Sequence, residues 1–397
     1  MLEYAGSQRS GVRAERDAPH PLAVVRSLDW ILLAAVAALV VVGLWAVAGI
    51  TKFALPNDPT YYLNRQILYA CVGGVVLVGA ALVDPDLYRR YWRGIFVGTA
   101  VVIAFVLLVG HAARGSTRWI SLGFFTFQPS EFGKLLFVLA LAGLLAERQS
   151  AAGSWRTTLR VVGFGLVPVL LVFAQPDLGT ALVYLAALGG MLFVAGIPWR
   201  HLSALGAVVV LVVVGVLWAG PAAGVNVLKS YQQQRLTCFT HPAKCPAAAG
   251  YNLDNSITAV GSGQIWGRGP NGSSQVKLGF LPESQTDFAM AGFAEQRGFV
   301  GAALLLGLYL LVLWRGLRVI TVARDLFSAV VAGGIVVALL FQIFVNVGMT
   351  MGIAPITGIP LPFVSVGGSS LIANLAAMGV LLAIHARGRV SRYSRRR

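Results

Sequence analysis

The sequence predicts an all-α, polytopic membrane protein of about ten transmembrane helices, with one long extracytoplasmic loop between helices 7 and 8. Three observations carry that expectation. Hydrophobic residues fill 57% of the 397 positions and charged residues only 12%, about half the share of a soluble domain, and the mean hydropathy is +0.76. The apolar residues gather in runs long enough to cross about 30 Å of hydrocarbon. Those runs lack the alternation of a membrane strand, so helices, which satisfy their own backbone in lipid, are the expected structure.

In chain order the predicted spans are Trp30 to Ile50, Ile67 to Val83, Ile95 to Gly110, Pro129 to Ala146, Val161 to Ala174, Leu178 to Ile197, Leu202 to Trp218, Phe288 to Leu313, Phe327 to Thr350 and Ser369 to His385. Residues 1–28 are polar, basic and rich in Gly and Ala, and read as a disordered cytoplasmic tail. Residues 29–386 form the transmembrane domain, and 387–397 a second basic tail. Ala46-Val47-Ala48 resembles a signal-peptidase site, but the run around it is longer than a signal peptide's apolar region, so the first span reads as uncleaved.

The formal net charge of +16 would suggest nucleic acid in a soluble protein; here the positions of the charges decide. Of 31 Lys and Arg residues, twenty fall on the side that holds both termini and eleven on the other, several of these in a long loop that counts little. Both termini are therefore expected in the cytoplasm, and the basic C-terminus reads as a topology signal attracted to anionic lipid.

The long loop, residues 219–287, shifts to Gln, Asn, Ser, Gly and Lys. A connection of that length in a compact bundle is functional or disordered. Its glycines at 261, 263, 267, 269 and 272 miss the dinucleotide fingerprint and no strand precedes them, so they read as tight turns. Cys238 and Cys245 bracket a Pro-containing turn, either as a disulfide or as two thiols. The loop ends in Leu281-Pro282-Glu283-Ser284-Gln285-Thr286-Asp287-Phe288, a polar segment with two carboxylates at the mouth of the eighth span.

Other ionisable residues stand at the same membrane boundary. Glu131 and Lys134 share one helix face after Gln128-Pro129-Ser130, Asp177 follows Gln175-Pro176, and Arg118 with Trp119 lies in the loop before the fourth span. Such residues are costly in lipid and face a polar interior; Glu131 with Lys134, or Lys134 with Asp177, could also simply neutralise each other. Pro355 to Ser370, rich in Pro and Gly, reads as a broken, re-entrant segment. It feeds a helix N-terminus whose free amides, with Ser369 and Ser370, suit a phosphate or plain capping.

Five ordered motifs give a resemblance: Arg118-Trp119-Ile120; Gln128-Pro129-Ser130-Glu131 with Lys134; Gln175-Pro176-Asp177-Leu178-Gly179-Thr180; Leu281-Pro282-Glu283 with Thr286-Asp287-Phe288; and Gly358-Ile359-Pro360-Leu361-Pro362-Phe363 with Gly367-Gly368-Ser369-Ser370. Together they resemble the SEDS family (shape, elongation, division and sporulation), most like its elongation branch, RodA. The resemblance implies a peptidoglycan glycosyltransferase of the bacterial cytoplasmic membrane. Its substrate would be lipid II, polymerised on the outer face with a class B penicillin-binding protein as transpeptidase partner. It further implies Asp287 as the essential carboxylate, supported by Arg118, Trp119, Glu131, Lys134 and Asp177. Gln128, Lys277, Glu283, Ser369 and Ser370 are added as candidate substrate or supporting residues, Glu283 being either a second carboxylate or a cap.

The chain departs from the family pattern where His is common and Gln285 stands, and where Tyr is common and Val366 stands. An amide does not titrate, so position 285 is not expected to shuttle protons. The chemistry expected is attack of a sugar hydroxyl on an anomeric carbon with inversion, a carboxylate acting as general base. Positive charge near the leaving pyrophosphate would come from Arg118, Lys134, Lys277, the last helix's N-terminus or a divalent cation, Mg2+ or Mn2+. A flippase for lipid-linked precursors is the alternative, disfavoured because the charges cluster at one boundary and do not line a route through both leaflets.

Overall fold

Each long apolar run forms a helix, and the polar residues before it set where it starts. The computed structural model describes residues 26–55, 57–109, 111–113, 116–121, 126–151, 153–216 and 247–396. The helices are α1 (Trp30–Ile50), α2 (Tyr61–Leu82), α3 (Pro85–Arg90), α4 (Trp92–Val109), α5 (Pro129–Glu147), α6 (Trp155–Ala174), α7 (Leu178–Val194), α8 (Trp199–Val214), α9 (Ala247–Ser262), α10 (Gly269–Gly272), α11 (Ser274–Lys277), α12 (Ala289–Val322), α13 (Leu326–Thr350) and α14 (Gly368–Arg396). Seven of them, α1, α2, α5, α6, α12, α13 and α14, are long and apolar enough to cross a membrane, and α4, α7 and α8 are shorter apolar helices. Asp29, Asp177 and Asp325 cap α1, α7 and α13, their carboxylates accepting from Leu32, Thr180 and Ser328 amides at 3.1, 3.1 and 2.9 Å. Pro129 opens α5, where a missing N–H costs nothing.

Alternate helices run in opposite directions, so the bundle has two ends. α14 packs along α2, α13 along α7, α4 along α5, and α12 along α1 and α13. Close approach rests on small residues: a Cβ at Gly379 would stand 2.3 Å from the Leu77 carbonyl oxygen. The helices α5, α13 and α14 are buried almost all round, whereas α8 buries only His201, stacked on Trp155 of α6 and bonded to the Thr158 hydroxyl at 2.8 Å.

At the end where the chain enters α1 and leaves α14, arginines hold the helices together. Arg315 Nε and Nη2 reach Asp29 Oδ2 at 2.9 and 2.5 Å, with side chains 8% and 1% exposed. Arg324 joins Asp84, Asp86 and Asp325, and Arg387 Nη2 donates to the Leu82 carbonyl at 2.8 Å. Burial draws the Arg324 pKa down, but the hydrogen bond and charge of Asp86 with the charges of Asp325 and Asp84 outweigh it and leave it raised.

Three features differ from the sequence reading. The connection before α5 is not a plain loop: β1 (His111–Ala113), β2 (Ser116–Ser121) and β3 (Thr126–Phe127) form an antiparallel sheet in that order, too short to show a period in sequence. The eighth span does not stop at Leu313 but runs to Val322, because Arg315 is neutralised by Asp29 and so does not end the apolar shaft. Within it Gly298, at φ 64° and ψ −166°, a glycine-only conformation, kinks the helix. Finally, residues 247–287 of the long connection carry α9, α10 and α11. A Cβ at Gly263 would stand 2.1 Å from the Ala294 carbonyl oxygen and one at Gly267 2.3 Å from that of Gln296, so these glycines let the loop backbone lie against α12. Cys238 and Cys245 lie outside the described residues.

Candidate active site

Leu281 and Phe288 are buried with Ala259, Ala291 and Ile356, so the two apolar ends of the polar segment anchor it against α9, α12 and residue 356. Between them Ser284 is buried and Pro282 exposed, while Glu283, Gln285, Thr286 and Asp287 stay half-exposed. Glu283, at φ 55°, accepts the Thr286 and Phe288 amides on its carbonyl, both at 3.1 Å, and the Thr286 hydroxyl on its carboxylate at 2.9 Å. Its side chain thus closes the turn that presents Asp287.

Three consecutive carbonyls of this segment are held from outside it. Gln285 O accepts the Val366 amide at 2.8 Å, Thr286 O the Ser365 hydroxyl at 2.5 Å, and Asp287 O the Asn346 side-chain amide at 2.9 Å. Each bond contributes about 1 kcal/mol net, and their succession fixes the main chain up to Asp287. Gln285 and Val366, the two departures from the family pattern, are thus joined by one of these bonds.

The stretch that supplies two of the three donors is itself bound on every side. Gln66 of α2 brackets it, donating to Ser365 O at 3.1 Å and accepting from Gly367 N at 3.4 Å. Ser365 Oγ also accepts the Leu361 amide at 2.8 Å, and the Tyr309 hydroxyl donates to Pro362 O. A Cβ at Gly43 would stand 2.2 Å from the Phe363 carbonyl oxygen, and one at Gly179 2.9 Å from that of Thr357, so α1 and the start of α7 abut it directly. Non-helical backbone at this depth survives because protein groups take up its polar atoms.

The predicted polar cluster forms beside this stretch. Lys134 Nζ meets Glu131 Oε2 at 2.8 Å, with side chains 10% and 2% exposed, while Asp177 instead caps α7 and receives Gln128 Nε2 at 3.3 Å. Gln128 N donates to Ser369 Oγ at 3.0 Å, and Ser369 Oγ donates to Thr126 O at 3.1 Å, stitching the start of α14 to β3 and α5. Ser370 Oγ accepts the Asn374 amide at 3.2 Å. Glu131, Lys134, Gln342 and Asn374 line a cavity of about 30 Å³, room for roughly two waters.

Not every expected residue joins this assembly. Lys277 is exposed at the end of α11, over the Phe53 ring at 5.5 Å and near Asn271 O at 3.5 Å. Trp119 sits half-buried on β2, and the Arg118 side chain lies outside the described residues. Sequence reasoning missed Glu295, fully buried, which accepts the Gln275 and Val276 amides at 2.9 and 3.2 Å and so caps α11. It also missed Gln342, Asn346 and Thr350, whose four-residue spacing puts polar groups on one face of an apolar helix.

Comparison with known proteins shows the family and the fold. Residues 26–390 match the family described as cell cycle protein, FtsW/RodA/SpoVE. The chain is 37% identical over 325 residues to the peptidoglycan glycosyltransferase MrdB of Escherichia coli K12, covering 81% of this chain and 85% of the relative. Among solved structures it is similar to a chain of a peptidoglycan synthase complex that coordinates polymerisation and crosslinking, at TM-score 0.76 and 32% identity over 91% of this chain and 98% of that one. The rod shape determining protein RodA of Thermus thermophilus matches at TM-score 0.66 and 30% identity, covering 90% and 96%.

Proposed function

The chain belongs to the FtsW/RodA/SpoVE family, and we propose that it polymerises lipid II at the outer face of the cytoplasmic membrane with the Asp287 carboxylate as general base. It is a multi-pass membrane protein with a RodA-like fold, and a peptidoglycan glycosyltransferase. The observation that best supports Asp287 is the run of three held carbonyls at residues 285–287, which sets this carboxylate on a fixed main chain at the end of the bundle away from Arg315, Arg324 and Arg387. The arginine-rich end faces the cytoplasm on the charge rule, which turns Asp287 outward.

In this reading the 4-hydroxyl of the acceptor GlcNAc attacks the anomeric carbon of the donor MurNAc. Asp287 takes the hydroxyl proton, the bond from that carbon to the pyrophosphate oxygen breaks, and its electron pair leaves with undecaprenyl pyrophosphate. Attack opposite the leaving group converts an α linkage to a β linkage without a covalent enzyme intermediate. Lys134, Lys277 and Arg118 are the cations proposed to favour the leaving group. A divalent cation, Mg2+ or Mn2+, is a further candidate to neutralise the leaving pyrophosphate; among the described residues no group of three or more His, Cys, Asp or Glu side chains gathers to hold one. The solved synthase complex supports a crosslinking partner, here a class B penicillin-binding protein.

The test uses purified protein with that partner in proteoliposomes and fluorescent lipid II. Asp287→Asn is expected to lower glycan formation by about 10²–10⁴-fold, the usual weight of a general base. Undiminished polymerisation by this variant would overturn the assignment, and lipid II translocation without polymer by the unaltered protein would favour a flippase.

A further inference from the structure

We infer that Asn346 is a positioning residue for the reaction, fixing the Asp287 main chain to the rigid shaft of α13; the inference rests on Asp287 being the base. Asn346 is fully buried, and its Nδ2 lies 2.9 Å from Asp287 O and 2.7 Å from Ile359 O. Both partners are carbonyls that can only accept, so the side chain must present its NH2 group there, one N–H to each. A single amide therefore ties two irregular segments, distant in sequence, to one helix.

The placement of Asn346 on α13 gives that tie its meaning. One turn earlier on the same face, Gln342 lines the cavity shared with Glu131 and Lys134, and one turn later the Thr350 carbonyl accepts the Ser256 hydroxyl of α9 at 2.9 Å. The helix thus sets the polar cluster, the carboxylate segment and α9 in a common frame. A buried amide in an apolar helix is costly without partners, and this one has two where the reacting carboxylate begins.

The chemical consequence is specific. Losing the Asn346 donor frees Asp287 O and Ile359 O but leaves Gln285 O and Thr286 O held by Val366 and Ser365, so the segment stays docked while its Asp287 end loosens. A displacement of about 1 Å at a reacting group costs on the order of 100-fold in rate. The loss should therefore fall on kcat and spare KM.

Asn346→Asp keeps the size and replaces two N–H donors with at most the single O–H of a protonated carboxyl, beside the reacting carboxylate; Asn346→Ser keeps one donor in a smaller side chain. With the full chain, its penicillin-binding partner and lipid II, kcat is expected to fall about 100-fold for Asn346→Asp and about tenfold for Asn346→Ser, with KM within about threefold. Thermal melting of the same samples gives the folded fraction, and should Asn346→Asp not fold, the Asn346→Ser split between kcat and KM decides alone. A rate loss matched by the loss of folded protein, or one confined to KM, would make Asn346 merely structural and overturn the inference. Unchanged kcat in both variants while Asp287→Asn is inactive overturns the positioning role alone. Full activity of Asp287→Asn overturns the base assignment on which it rests.

Discussion

The two ends of the bundle hold their carboxylates by different chemistry. At the basic end guanidinium groups do it: Arg315 on Asp29, and Arg324 on Asp84, Asp86 and Asp325. At the other end, besides the Glu131–Lys134 pair, neutral N–H groups take part: Asp177 receives a backbone and a side-chain amide, Glu295 two backbone amides, and Asp287 is fixed through its main chain by Asn346. A guanidinium pair cancels the charge it binds and welds helices; amides orient a carboxylate and leave its charge in place. The first arrangement suits a joint, the second a reacting group.

Substitutions can break or sharpen that contrast. The largest effects are expected from one residue at each end. Asp287→Asn should remove polymerisation and leave the melting temperature unchanged. Arg315→Ala strands a buried carboxylate and should lower stability by about 3–5 kcal/mol, while the protein that remains folded retains its kcat. If Arg315→Ala instead changed kcat with no change in melting, the division of labour would be wrong. The Asn346 variants come next, with rate losses of about ten- to 100-fold in kcat that exceed what their loss of folded protein explains.

Gly298→Ala belongs between the two classes. Its backbone conformation admits only glycine, and a Cβ would stand 2.3 Å from Gly267 N, so about 1–3 kcal/mol of strain joins a clash that shifts the loop glycines packed there. Both melting temperature and kcat should fall together. The smallest effect is expected from Arg93→Ala at the basic end. That pair with Glu147 is 76% and 45% exposed at 3.3 Å, and its loss should cost less than about 1 kcal/mol and no activity.

How legible all this was in the sequence varies with the range of the interaction. Trp30–Ile50 and the starts of α5 and α7 follow from local signals, an apolar run and a proline, and the structure places them as read, with Asp29 and Asp177 found as caps. The end of α12 was misjudged because Arg315 looks like a boundary until Asp29, at the far end of the sequence, is brought to it. The sheet escaped because β3 has two residues and no periodicity. The Glu131–Lys134 pair was visible as a helical spacing, while the hydrogen bond from Ser365 to Thr286 joins irregular segments that no period relates. Asn346 stood between: amides at four-residue intervals in an apolar helix announce a polar face, though not what it meets.

The cavity beside Glu131 and Lys134, at about 30 Å³, admits water but no sugar. For the proposed substrate this means that the sugars are not enclosed in that cavity. The reactants are met from the bilayer with their polyprenyl tails still dissolved in it, so the encounter is a collision in two dimensions. The quantity that would saturate such an enzyme is the mole fraction of glycolipid among its neighbours in the leaflet.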